Sequence, residues 1–201
     1  MTPDTVATTP QNGALTQRDA RGGLVLEDVT VQRSTFDIVR KASLVAPIGE
    51  VTVVLGANGA GKTTLLELGE ELEGLADRPA AVGGDLEVLL GGQLGKDTPA
   101  LLDVPEPKAR ALAVRPKVLM IDEMSLGLAP LIASRLIAMV RTLADERGVG
   151  VLLVEQFAAL ALAAGDHAYV ISQGTIVYDG SPAPLIEHPD ILQRAYLGEV
   201  Q

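Results

Sequence analysis

Nine residues constrain this chain more than any others: GANGAGKTT, Gly56 to Thr64, which follow directly on the apolar run VTVVL, Val51 to Leu55. A short continuous run of apolar, mostly β-branched residues suits a strand buried on both faces. The nine that follow fit G-x-x-x-x-G-K-[ST], a phosphate-cradling loop between a strand and a helix. Gly56, Gly59 and Gly61 let backbone N–H groups turn inward around phosphate oxygens, with Ala57, Asn58 and Ala60 completing the loop. The helix expected to open at Thr63 and Thr64 adds its N-terminal dipole to the same anion site. In that arrangement Lys62 reaches the β- and γ-phosphates and the Thr63 hydroxyl ligates Mg²⁺.

Such a loop needs a second metal contact from an acid at the end of a neighbouring strand. VLMIDE supplies Asp122 where four apolar residues end, and Glu123 comes next. A carboxylate one step beyond the metal-binding aspartate can polarise an attacking water, so the pair points to hydrolysis rather than transfer to a second substrate.

The remaining pattern predicts an α/β fold with a largely parallel sheet. KVLMID, Lys117 to Asp122, and VGVLLVE, Val149 to Glu155, read as two more buried strands. Between them PLIASRLIAMVRTLADERG places Ile132, Leu136, Met139, Val140 and Leu143 at helical spacing and ends on Gly148, a helix-stop signal. Buried strands alternating with helices give this class. Earlier, LVLEDVTV, Leu24 to Val31, and IVRKASLVAP show the partial alternation of half-buried antiparallel strands. AYVISQGTIVYDG predicts a hairpin turned at Gln173 and Gly174, followed by short helices. The acidic ELGEELEG, Glu67 to Gly74, reads as the solvated face and end of the helix after the phosphate loop. His167 and His188, without a cysteine, second histidine or carboxylate at ligand spacing, read as surface histidines. Residues 1–22, rich in Thr, Pro, Gln and Gly, read as a loose tail, and 23–201 as a single domain.

Composition removes several classes of partner. The net charge is −10 with Lys and Arg scattered, so no basic stripe exists to follow a nucleic-acid backbone. Three tyrosines and two phenylalanines cannot supply stacking platforms for single strands. The absence of cysteine excludes disulfide frameworks and thiolate metal sites. No apolar run approaches the roughly 18 residues of a spanning helix; FAALALAA, Phe157 to Ala164, stops at Gly165.

Taken together these segments resemble the nucleotide-binding subunits of ABC transporters. GANGAGKTTLL is similar to that family's Walker A, KVLMIDE to its Walker B, and SLGLAP, Ser125 to Pro130, to its D-loop. LLVEQ is similar to its switch strand, with Gln156 where most members have the histidine that senses the γ-phosphate. That glutamine, the form of the phosphate loop and the closing HPDILQRAYLGE are similar to the ATP-binding subunits of branched-chain amino-acid importers. The resemblance runs from about Leu24 to Glu199. It implies a P-loop NTPase core with an antiparallel β lobe, ATP and Mg²⁺ as ligands, Glu123 and Gln156 as catalytic residues, and Asp122 and Thr63 at the metal. It further implies integral membrane permease subunits and a second ATP-binding subunit as partners, and a cytoplasmic place on the inner face of the plasma membrane.

The chain also departs from the family. Members carry a helical subdomain and an LSGGQ-type signature between Walker A and Walker B, yet Lys62 and Asp122 are only sixty positions apart. LLGGQLGK, Leu89 to Lys96, is either that signature displaced or the turn of a β-lobe hairpin. The prolines of DTP and VPEP break any continuous helix from Gln93 to ARAL, which favours the turn. LDVPEP then resembles the entrance to the Q-loop, with Glu106 at the position that senses the metal. Met124 stands where a proline is common. Arg33 falls about where the family has the aromatic that stacks on adenine; a guanidinium plane can stack in its place, and Phe36 is the other candidate.

In this family each ATP lies between the P-loop of one subunit and the signature of the other. Loss of the signature therefore predicts Mg·ATP binding with weak or absent hydrolysis. Two other readings stand beside an importer subunit. One is a non-hydrolysing nucleotide-binding module without a transport role. The other is a phosphotransferase, for which the few basic candidates, such as Arg110 and Arg115, sit in the segment before Asp122.

Overall fold

The computed structural model describes residues 23–73, 117–123, 125 and 128–199. The readings made for the tail, the Leu89 to Lys96 turn, Glu106, Arg110, Arg115 and Met124 lie outside those residues.

The alternation in the first strand slips by one residue, and the pairing shows why. β1 (Leu24–Arg33) runs antiparallel to β2 (Phe36–Ala46). Leu24, Leu26, Val29 and Val31 are all buried, although a strict period of two would turn Val29 outward. The register shifts between Leu26 and Val29, where Asp28 takes φ 50° and its N–H donates to Ser43 Oγ at 2.9 Å. This bulge absorbs one residue and returns the apolar side chains to one face.

β3 (Val51–Leu55) is buried at every position, as its apolar run predicts. α1 (Lys62–Glu73) follows the phosphate loop, opening one residue earlier than expected, and β4 (Val118–Asp122) comes next among the described elements. α2 (Pro130–Arg147) ends on Gly148, whose φ of 63° and N–H to the Ala144 carbonyl close the helix as the sequence predicts. Its buried face differs in detail: Leu136 and Val140 are buried with Ala133, Ile137 and Ala144, while Ile132, Met139 and Leu143 are only partly covered. β5 (Gly150–Glu155), α3 (Ala158–Ala164), β6 (His167–Ser172), β7 (Thr175–Gly180), α4 (Ala183–Glu187) and α5 (Pro189–Leu197) complete the order.

The main sheet has the order β4-β5-β3-β6-β7, parallel except for β7. Each central strand feeds two cores. Val51, Val53 and Leu55 face the side covered by α2 to α5, together with Val151 and Leu153. Val54, Leu152 and Val154 face the opposite side, packed with Leu65 and Leu66 of α1 and the inner face of the β1–β2 lobe. Each such buried Val or Leu contributes about 1.5–3 kcal/mol. Arg141 of α2 fixes one layer to the sheet: it pairs with Asp145 at 2.6 Å and with Asp166 at 2.5 Å. Asp166 in turn accepts the Val51 N–H at 2.8 Å.

The β6–β7 turn falls at Gln173 and Gly174, both at positive φ, as the hairpin reading requires. It is also a junction. The Gly174 N–H donates to the Ala60 carbonyl in the phosphate loop at 3.0 Å, and its carbonyl accepts the Arg40 N–H of β2 at 2.7 Å. A Cβ on Gly174 would lie 2.4 Å from the Ile38 carbonyl oxygen, whereas one on Gly59, also at positive φ, meets nothing within 4 Å. We therefore expect Gly59→Ala to cost about 1 kcal/mol for the left-handed backbone alone, and Gly174→Ala about 2–4 kcal/mol. Urea denaturation midpoints of the two variants check this.

Candidate nucleotide site

Parallel pairing puts the carboxyl ends of three strands at one level, since Leu55 pairs with Glu155 and Asp122 with Val154. Loops after such ends are where open α/β sheets bind ligands. The acid is not on the strand beside β3, as expected, but one strand further out, with β5 between. The first turn of α1 bridges that distance: the Thr63 hydroxyl donates to Asp122 Oδ2 at 3.0 Å.

Lys62 is buried, and its ammonium donates to the carbonyls of Gly56 at 2.9 Å and Ala57 at 3.2 Å. An ammonium has three donors, so one is left for an anion. Glu123 Oε1 stands 3.9 Å from the same nitrogen. Its backbone N–H extends the ladder by donating to the Val154 carbonyl at 2.9 Å, and its φ is 45°, a costly conformation for a residue with a Cβ.

A cavity of about 480 Å³ opens over these groups. It is lined by Asn58, Gly59, Gly61, Lys62, Thr63 and Thr64 of the loop and the start of α1, by Glu123 after β4, and by Arg33 and Ile38 of the β lobe. Gly56 and Ala57 act through their carbonyls on Lys62, and Ala60 of the same loop is buried. Gln156, half-buried directly after β5, does not line the cavity, so the structure joins Glu123 but not Gln156 to the phosphate loop.

Asp122 Oδ1 is buried and has no hydrogen-bond partner among the described residues. A carboxylate oxygen left unsatisfied beside a threonine hydroxyl fits Mg²⁺, which takes one or two protein oxygens and otherwise waters and phosphate oxygens. No cluster of three or more His, Asp or Glu able to hold a metal exists among the described residues. Burial pushes the Asp122 carboxyl above the ordinary aspartate value; the Thr63 hydrogen bond opposes this, Glu123 and Glu67 reinforce it, and Lys62 lowers it.

The sign of that shift is testable. A folded-state pKa raised above the unfolded one means the folded chain holds its proton more tightly, so stability falls as pH rises through and above the aspartate range. Without divalent cation, Asp122→Asn is expected to be more stable than wild type at neutral pH, with the difference vanishing on acidification. Urea midpoints between pH 4 and 8 measure it.

One polar group here has no signal in the sequence. Glu155, at the end of an apolar strand, is 2% exposed, and its two oxygens accept from Ser125 N at 2.9 Å and Ser125 Oγ at 2.7 Å. This carboxylate ties the loop after Glu123 to the end of β5. Ser125→Ala leaves one buried carboxylate oxygen without its donor and should cost about 1–3 kcal/mol in chemical denaturation. His167 also differs from its reading as an isolated side chain: its Nε2 lies 2.7 Å from Asp179 Oδ1 across the β6–β7 hairpin. Glu67 is exposed as expected, yet it carries an ion pair with Arg33.

No family model matches the chain. The high-affinity branched-chain amino acid transport ATP-binding protein BraG of Pseudomonas aeruginosa is 31% identical, with 87% of this chain and 99% of that protein covered. The alignment runs over 234 positions although the chain has 201 residues, so several tens of that protein's residues have no counterpart here. Among solved structures, a nucleotide-free ATP-binding cassette from an ABC transporter matches with a TM-score of 0.66 at 18% identity, covering 86% of this chain and 97% of that one. A dimeric ATP-binding cassette bound to ADP and Pi matches at 0.65 and 15% identity, covering 79% and 98%. At those identities the structural matches establish the fold. The chain belongs to the ATP-binding proteins of ABC transporters. Within that class its sequence relatives include the branched-chain amino acid transport ATP-binding proteins.

Proposed function

We propose that the chain is the ATP-binding subunit of an ABC importer for branched-chain amino acids, and that it binds Mg·ATP at the loop from Gly56 to Thr64 but hydrolyses it weakly or not at all. The observation that carries the binding half is the convergence of Lys62, Thr63 and Glu123 on one cavity, with Asp122 hydrogen-bonded to Thr63 beside it. Lys62 meets the outer phosphates with its remaining donor, and the loop N–H groups with the start of α1 supply the rest of the anion site. Thr63 and Asp122 would hold Mg²⁺, which neutralises charge on the phosphate oxygens when bound. Glu123 lines the cavity 3.9 Å from the Lys62 ammonium, where a carboxylate can orient a water. Similarity to BraG, a branched-chain amino acid transport ATP-binding protein, supports the amino-acid substrate, and the ADP and Pi in a cassette of the same fold support a nucleotide ligand.

The second half rests on the shortened stretch between Lys62 and Asp122, and on the relative's unmatched residues. A P-loop, Lys62, Thr63 and Asp122 in one chain suffice to bind; completing the site across a dimer needs a signature from the facing subunit. Permease subunits and a second ATP-binding subunit are the partners this reading entails, with the chain peripheral on the cytoplasmic face of the membrane. No helix among the described residues is long and apolar enough to cross a bilayer. The same shortening also favours the reading as a non-hydrolysing nucleotide-binding module without a transport role.

Calorimetric titration with Mg·ATP should give saturable binding that Lys62→Ala weakens by roughly a hundredfold, the worth of a charge-assisted contact. Phosphate release from the same samples should be near background. Steady turnover that disappears in Glu123→Gln would refute the claim of impaired hydrolysis while leaving the binding claim intact.

A further inference from the structure

The chain has two asparagines, and a glycine follows each: Asn12–Gly13 and Asn58–Gly59. The second pair lies in the phosphate loop, where both residues are exposed and both line the cavity. The Ala60 N–H donates to the Ala57 carbonyl at 3.1 Å, so Asn58 and Gly59 are the two corner residues of a β-turn. Gly59 has a φ of 77°, a left-handed value that suits glycine at the second corner. Among the described residues nothing pairs with the Gly59 N–H or with the Asn58 side-chain amide. The peptide plane between the corners can turn without breaking the Ala57–Ala60 bond, and a Cβ on Gly59 would meet nothing within 4 Å.

We infer that Asn58–Gly59 is a self-modification site controlled by occupancy of the loop: left empty, it converts Asn58 to aspartate and isoaspartate and the loop loses its phosphate site, and a bound polyphosphate prevents this. The control by occupancy rests on the reading of the cavity as a nucleotide site.

The chemistry needs only water. The Gly59 nitrogen gives its proton to solvent hydroxide and attacks Asn58 Cγ. The new N–Cγ bond closes a five-membered imide, and the Cγ–Nδ2 bond breaks with release of ammonia. Water then opens the imide at either carbonyl. Opening at Cγ gives aspartate, and opening at the main-chain carbonyl gives isoaspartate, in which the chain runs through Cβ and Cγ. Glycine is the residue most open to this attack, because no Cβ shields its nitrogen. Isoaspartate lengthens the main chain by one carbon inside the loop, which turns the N–H groups away from the positions at which they meet phosphate oxygens. A phosphate held by those N–H groups fixes the same peptide plane, so the attack proceeds only in the unliganded fraction.

Peptide mass spectrometry of the full chain, incubated in mildly alkaline buffer, reads both asparagines in one sample. Asn12, outside the phosphate loop, is the internal reference for buffer and temperature. With Mg·ATP at about a hundred times its Kd only about one molecule in a hundred is free, and conversion at position 58 should slow at least about tenfold relative to position 12. Mg·tripolyphosphate at the same multiple of its Kd should protect equally. Without ligand, the fraction of the protein that binds Mg·ATP in calorimetry should fall in step with isoaspartate at position 58. Asn58→Gln, whose longer side chain closes the ring only slowly, should keep its binding through the same incubation. Survival of Asn58 in the absence of ligand overturns the inference, as does a loss of binding in Asn58→Gln at the wild-type rate. Conversion at an undiminished rate under ligand that calorimetry shows to be bound overturns it while leaving the nucleotide site standing. Absence of binding by both ligands in the fresh protein overturns both.

Discussion

The parallel pairing of β3 with β5 holds the site together. Val51 to Leu55 and Val151 to Glu155 run side by side with no slip, and both strands are buried throughout. Burial on two faces removes register freedom, because a one-residue slip would exchange the apolar sets of two cores at once. The loop after β3 and the end of β5 are therefore placed by packing, and β4 is aligned by the same rungs. Only then can a hydroxyl at the start of α1 meet a carboxylate two strands away.

The chemistry concentrated at that edge is electrostatically uneven. Lys62 brings one positive charge, already engaged with two carbonyls and close to Glu123, while Asp122 sits partly desolvated among acids. Glu155, the most deeply buried acid described, is taken out of this field by the two donors of Ser125. Buried carboxylates persist where hydrogen bonds replace the lost water. The carboxylate that faces the cavity and the carboxylate that braces the loop thus differ in partner, not in type.

Much of this was legible in the sequence because the signals were local. A buried strand followed by a nine-residue loop, an acid pair ending an apolar run, and a Gln-Gly turn each specify backbone geometry within a few residues. What escaped was set by distance along the chain. Glu155 reads as a strand end rather than a brace, since Ser125 lies thirty positions away. Arg33 and Glu67 meet across thirty-four positions. The buried face of α2 was read from its large side chains, yet Ala133 and Ala144 make part of the contact because small residues let a helix approach the sheet. β4 was expected beside β3 because sequence order says nothing of which strand is inserted between.

The hairpin turn at Gly174 touches Ala60 on one side and Arg40 on the other. Three pieces that are remote in sequence, the anion loop, the outer lobe and the last hairpin, thereby share a single backbone unit with no side chain to yield. The lobe that carries Arg33 and the loop that carries Lys62 are thus located by hydrogen bonds to the same glycine.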